Sequence, residues 1–266
     1  MKDEFLQKIK RGINYLYTRW EALLHEKQYS AHGTRVKYMF YKKPKSNVLL
    51  VSFPACAPNT AKYNYMRTLL PFKCNKLFLL DDFGENQQGC YLAEDKVEKC
   101  TQDLLRSKID WCKKQIWGDN FHSLKVIFLG SSKGGYCALN FSFLIPDVHV
   151  IIGAPQYYLG SYLDKENTKV NLSFLIGKIT EEGKKQLNNR LKDRILTSVV
   201  KPKEVYFHYS NVEHTYNEHI KDLLQDLKRS EIKVIEDIAG YPEHSGLAVF
   251  FPPYLVKTIE LVLDRQ

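Results

Sequence analysis

The chain has 266 residues, 44% of them hydrophobic and 26% charged, with a formal net charge of +9. That balance excludes a disordered or low-complexity polypeptide and provides enough apolar residues for a full core. The surplus positive charge points to an anionic partner, whether nucleic acid, membrane surface, acidic polysaccharide or phosphorylated cofactor, and does not choose among them.

Residues 3–27 place Phe5, Ile9, Ile13, Leu16 and Trp20 at spacings of three and four, with a basic far side. This is a helical stripe. A helix packed on the domain edge is the expected reading; a membrane-surface helix giving peripheral membrane association is the other. The opening segment lacks the apolar stretch and cleavage site of a signal peptide, and no apolar run reaches the ~18 residues of a transmembrane segment. The expected location is therefore cytoplasmic.

"RVKYMFYK" and "NVLLVSF" follow as strands, the second a continuous apolar run of the kind covered on both faces. "KLFLLDD" is a third strand, and residues 93–116 a long helix. Strand "LKVIFLG", helix "YCALNFSFL" and strand "VHVIIGAP" come next. After a gap, strand "EVYFHYS", a helix from Asn217 to Lys228, strand "IKVIEDI" and a helix ending near Leu263 complete the series. Short apolar strands alternating with longer helices predict an α/β fold, a mostly parallel sheet flanked by helices. The rhythm breaks between residues 157 and 202, and residues 161–203 hold ten Lys or Arg against five Asp or Glu. With no linker composition at either end, the expectation is one domain over 1–266, with an extra N-terminal helix at 1–30 and a basic helical insertion or lid at 157–202.

The six cysteines form no CxxC pair and the eight histidines no HExxH pattern, so free thiols and no metal site are expected. No RRM, zinc-finger or helix-turn-helix pattern appears, and no nucleic-acid partner is expected. Tyr63, Tyr65, Tyr91, Tyr157 and Tyr158 are either half-buried packing residues or platforms for sugar rings. Oligomeric state leaves no signal.

"LGSSKGGYCAL" lies between a strand and a helix. A Walker loop requires its lysine after the last glycine, whereas Lys133 precedes Gly134, and the glycine spacing also fails the GxGxxG fingerprint. The stretch fits GxSxG, in which a sharp turn presents Ser132 at the sheet edge and aims the Lys133 N–H at an oxyanion. A serine hydroxyl is a poor nucleophile until a base removes its proton. His244, in the loop "AGYPEHSG" after a late strand, is placed to be that base. For the acid, Glu213 comes first, Glu218 second and Asp237 third. A second oxyanion donor is expected from "VSFPACAP", where Pro54 has no N–H; Phe53 is preferred over Ala55.

Taken together and in this order, "SFPACAPNTAKYNYMRTLL", "LLDDFGENQQGCYL", "FLGSSKGGYCAL", "IIGAPQ" and "GYPEHSG" resemble the capsular-polysaccharide O-acetyltransferases, a family with an α/β-hydrolase fold. The resemblance implies an acylated Ser132, His244 as base and an acidic third member near 213. The family's acid is an aspartate, where this loop offers Glu213. It also implies acetyl-CoA as acyl donor with no permanently bound cofactor, an anionic polysaccharide or oligosaccharide as acceptor, and work in the cytoplasm or at the inner face of the membrane. Lys184, Lys185 and Arg190 of the insertion are the expected contacts for CoA phosphates or glycan. A serine esterase of the same fold and a non-catalytic polyanion-binding module are the alternatives.

Overall fold

The computed structural model describes residues 2–56, 60–116 and 124–265. Eight strands form one sheet in the order β1-β2-β4-β3-β5-β6-β7-β8. They are β1 (Lys27–Ala31), β2 (Thr34–Tyr41), β3 (Val48–Ser52), β4 (Asn75–Leu79), β5 (Lys125–Ser131), β6 (Val148–Gly153), β7 (Glu204–Ser210) and β8 (Val234–Ala239). The β1–β2 and β2–β4 pairs are antiparallel and every other pair is parallel. The apolar runs behave as expected of covered strands, since β3 and β7 are buried along their whole length. Ser52 pairs with Leu129, Ser131 with Gly153, and Gly153 with His208, so the C-terminal ends of β3, β5, β6 and β7 form one edge.

Among the described residues eight α-helices accompany the strands: α1 (Lys2–His25), α2 (Asp95–Ile116), α3 (Lys133–Ser142), α4 (Leu159–Leu163), α5 (Lys169–Ile176), α6 (Glu181–Thr197), α7 (Lys221–Arg229) and α8 (Leu247–Asp264). Glu98 of α2 binds Arg190 (3.0 Å) and Arg194 (2.7 Å) of α6 and accepts from Asn140 of α3 (2.9 Å), which ties the inserted helices to the body. Burial alone would raise the Glu98 carboxyl; the two arginines outweigh it and hold the group below its ordinary range.

Three expectations are refined by the structure. The first helix ends at His25, and residues 27–31 form β1, an edge strand whose polar sequence carries no alternation to reveal it. His32 and Gly33, both at positive φ (54° and 72°), make the two-residue hairpin turn into β2. Next, the contacts of α1 among the described residues include its C-terminal end, where Tyr41 bonds Glu21 and Tyr63 donates to Glu26 at 2.9 Å, and Tyr15, whose ring lies under Lys62. Leu16, Trp20 and Leu23 stay 62–82% exposed; the side chains of Phe5 and Ile9 lie outside the described part. Finally, residues 244–264 form a helical segment of mean hydropathy 1.5, long and apolar enough to cross a membrane by length and composition. An uninterrupted-run reading misses it because Lys257 and Glu260 break the run without undoing the average. Here Leu247, Phe251, Leu255, Ile259 and Val262 of that segment are buried at helical spacing, leaving Val249 and Phe250 outward. Its end is held by Lys125 of β5, whose Nζ donates to the carbonyls of Val262 and Leu263 (3.1 Å each) and Arg265.

Candidate active site

Ser132 sits between β5 and α3 at φ 51°, ψ −121°, a sparsely populated conformation for a residue with a Cβ. Its neighbours are small because the turn has no room. A Cβ on Gly130 would collide with the Gly134 backbone, and one on Gly134 would lie 2.6 Å from the Phe53 carbonyl oxygen. The turn is fastened by the Ser132 N–H donating to Gly153 O at 2.8 Å.

The hydroxyl meets the expected partners. Ser132 Oγ lies 3.0 Å from His244 Nε2, and His244 Nδ1 lies 3.1 Å from Glu213 Oε2. Glu213 follows β7 and its side chain is fully buried; His244 opens the turn before α8, its side chain 27% exposed. Burial is the largest single influence and would raise the Glu213 carboxyl, but hydrogen bonds from His244 and Thr215 together with the nearby imidazoles of His244 and His214 hold the group below its ordinary value. An ionised carboxylate only accepts, so Nδ1 carries the imidazole proton and Nε2 is free to accept the serine proton. Glu218 is exposed on the next turn, and Asp237 is 2.6 Å from His208 Nδ1; neither reaches His244.

The Phe53 expectation fails. Its N–H donates to Leu129 O at 2.9 Å, continuing the β3–β5 ladder, and the Ala55 N–H is taken by Asn64 Oδ1 at 2.9 Å. Neither the Phe53 nor the Ala55 N–H is therefore left over for an oxyanion, and residues 57–59 lie outside the described part. The "KYNY" stretch explains itself here. Asn64 holds the loop through Ala55, Ser52 Oγ donates to Asn64 O at 2.9 Å, and the Tyr65 hydroxyl bonds Ser131 Oγ.

The Lys133 side chain has partners of its own. Its buried Nζ donates to Asp81 Oδ2 at 2.9 Å and to Gln88 O at 3.3 Å. Burial is the largest single influence and works against the ammonium, yet the charge and hydrogen bond of Asp81, with Cys56 and Cys137 beside them, together leave the lysine's pKa raised.

The insertion cations are engaged within the protein. Lys184 pairs with Asp164 (2.7 Å) and Glu181 (2.6 Å), and Arg190 with Asp95 (3.3 Å) and Glu98 (3.0 Å). Each has its charge met by carboxylates on the fold, which a charge count along the chain does not reveal. Lys185 is exposed. The tyrosines are likewise occupied, Tyr157 donating to Asp226 and Tyr158 to Asp222, both at 2.8 Å. Five of the six free cysteines are buried. Among the described residues no group of three or more His, Cys, Asp or Glu could hold a metal ion.

Two site residues escape the sequence reading. Gln156, after β6, is buried and donates from Nε2 to Ser132 Oγ at 2.8 Å; a lone amide at a strand end in "APQ" was the available signal. His219 lies in a π-helical turn, Tyr216–Ile220, directly beyond Glu213. Its ring is buried, Nδ1 accepts the Tyr158 N–H at 3.4 Å, and Nε2 has no partner. Burial pulls its pKa down to about 4. The folded state thus binds fewer protons than the unfolded one, whose histidine titrates near 6.5. Stability present above pH ~6.5 should be lost progressively down to pH ~4, by about 3 kcal/mol. Denaturant titrations of His219→Asn across this window should show a flatter profile; an unchanged slope would remove the assignment.

No family model and no curated protein matches the sequence. Solved structures do match the fold. The capsule O-acetyltransferase of Neisseria meningitidis serogroup A, in complex with CoA, superimposes with a TM-score of 0.70 at 21% identity, over 88% of this chain and 94% of that one. A glycosylation-associated protein complex from Streptococcus agalactiae gives 0.69 at 17% identity, over 91% of this chain and 47% of that one. The fluorophosphonate-binding serine hydrolase F of Staphylococcus aureus gives 0.56 at 12% identity, over 90% and 97%. The mostly parallel sheet with its flanking helices is thus an α/β-hydrolase fold, built as in the meningococcal capsule O-acetyltransferase.

Proposed function

We propose that the protein is a serine acyltransferase that moves an acetyl group from acetyl-CoA to a hydroxyl of an anionic polysaccharide. The observation that carries this reading is the chain of contacts from Ser132 Oγ through His244 to buried Glu213, at 3.0 and 3.1 Å. In that chain His244 Nε2 takes the serine proton as Oγ attacks the thioester, and the imidazolium is stabilised by Glu213. The Lys133 N–H is one donor for the oxyanion. CoA leaves with the proton, and an acceptor hydroxyl, deprotonated by the same Nε2, removes the acetyl group from Ser132. The donor supports a cytoplasmic site of action, and the choice of CoA rests on the fold neighbour solved with CoA.

Hydrolysis is the second reading, favoured by the partial exposure of His244, 27%, and by the fold shared with a serine hydrolase. Water would then replace the glycan. Incubation with acetyl-CoA followed by intact-mass measurement should show one acetyl group on Ser132, and capsule-type oligosaccharide should discharge it as an acetylated glycan. Release of acetate alone with glycan present would establish the hydrolase. If neither acetyl-CoA nor a fluorophosphonate labels Ser132, acyl-enzyme chemistry is excluded.

A further inference from the structure

Ser132 Oγ has two partners. His244 Nε2 is placed to receive its proton, and the Gln156 amide donates to it at 2.8 Å from the β6 side. Gln156 is 1% exposed. Its Oε1 is met by the Tyr91 hydroxyl at 3.4 Å, which leaves Nε2 directed at the serine. The backbone before it is equally constrained, with Ala154 at φ 34° and its N–H donating to His208 O at 2.9 Å. A buried amide spent on a serine that already has a base needs a reason.

We propose that Gln156 is a catalytic residue whose N–H stabilises negative charge on Ser132 Oγ itself. The inference rests on the acyl-enzyme reading above and adds a role to it. During acylation the O–H bond breaks toward His244 Nε2, the Oγ–C bond forms, and the carbonyl electron pair moves to its oxygen; collapse expels the thiolate, which takes the proton. During transfer the acceptor oxygen forms its bond to the acyl carbon, the C–Oγ bond breaks with its electron pair on Oγ, and His244 returns a proton to it. Oγ is therefore the attacking atom in one step and the leaving atom in the other, and it gathers charge in both. An N–H bond to a charged oxygen is about twice as strong as one to a neutral hydroxyl. The contact consequently favours both transition states over the resting serine. Donors on the carbonyl oxygen, such as the Lys133 N–H, act on a different atom.

The test uses p-nitrophenyl acetate, with pre-steady-state acylation and steady-state deacylation measured separately. Gln156→Met keeps the volume and removes the donor. It should slow both steps about 10–100-fold, with KM changed less than threefold and the melting transition retained. The same change is also made in a Ser132→Cys background, where the thiolate bears its charge far more easily than an alkoxide. There the penalty should shrink to less than threefold, whereas a purely structural role would cost as much in both backgrounds. Rates within threefold of wild type, a loss confined to KM, or an equal loss in the cysteine background would each overturn the proposal. Gln156→Glu, which keeps the oxygen facing Tyr91, replaces Gln156→Met if that variant fails to fold. Wild-type protein that p-nitrophenyl acetate and fluorophosphonate both leave unlabelled would instead remove the acyl-enzyme reading beneath it.

Discussion

If Ser132 is the nucleophile and His244 its base, as proposed, replacing Ser132 by alanine is expected to lower acyl transfer by about 10⁴–10⁶-fold, because the two act as a unit and the residual rate comes only from binding and oxyanion donors. His244→Ala should cost a similar factor, and the double variant little more than either single one. The loss should be chemical rather than structural. Ser132 makes its fold-determining contacts through the backbone, with its N–H on Gly153 O and its carbonyl accepting from Tyr136 N–H at 3.0 Å. Alanine at φ 51° is no more strained than serine, so the melting temperature should be close to that of wild type. Ser132→Gly should be more stable by about 1 kcal/mol, since glycine relieves the left-handed strain. Initial rates with acetyl-CoA, together with the melting curves, check all four variants. Additive losses for serine and histidine would deny that they operate together.

Lys133→Met should have the largest effect on stability, about 3–5 kcal/mol, because it leaves a buried carboxylate without its cation. Asp81 is 0% exposed, and its other oxygen accepts the Cys90 N–H at 2.8 Å, a bond that does not require the negative charge. Adding Asp81→Asn to Lys133→Met should therefore recover at least half of the loss, since an amide oxygen can serve Cys90 without an unpaired charge. Urea unfolding of the three variants measures this. A double variant no more stable than Lys133→Met would show that the lysine acts by packing alone. Acid should weaken the protein in a second window, distinct from that of His219. Glu98 and Glu213 are held below their ordinary range, so their contribution is intact above pH ~4.5 and is lost as pH falls through their lowered values.

What the sequence revealed and what it concealed divide along physical lines. Parallel strands buried on both faces write themselves as apolar runs, and so β3, β5, β6 and β7 were legible. Ser132, Glu213 and His244 were legible because each follows a recognisable strand, and the sheet brings the ends of those strands to one edge. Phe53 was misread because backbone donors are allotted by strand register, and its N–H is claimed by Leu129. The ion pairs of Lys184 and Arg190 were hidden because the neighbours that meet their charge include Asp164, Asp95 and Glu98, 20 or more positions away. Gln156 stayed hidden for a related reason. Nothing in "APQ" states that β6 ends beside the turn of β5, and only their pairing, Ser131 opposite Gly153, brings the amide to the hydroxyl.

The anchoring of α8 by Lys125 sets when reactivity can arise. The strand that carries Ser132 at one end holds, through the lysine at its other end, the carbonyls of Val262, Leu263 and Arg265. His244 stands at the opposite end of that helical segment, so the base is in register with the serine only once residues 244–265 have docked. On the acyl-enzyme reading proposed above, a chain in which this segment has not docked lacks the base that Ser132 needs. Such a chain should be inert toward acyl donors until the segment docks.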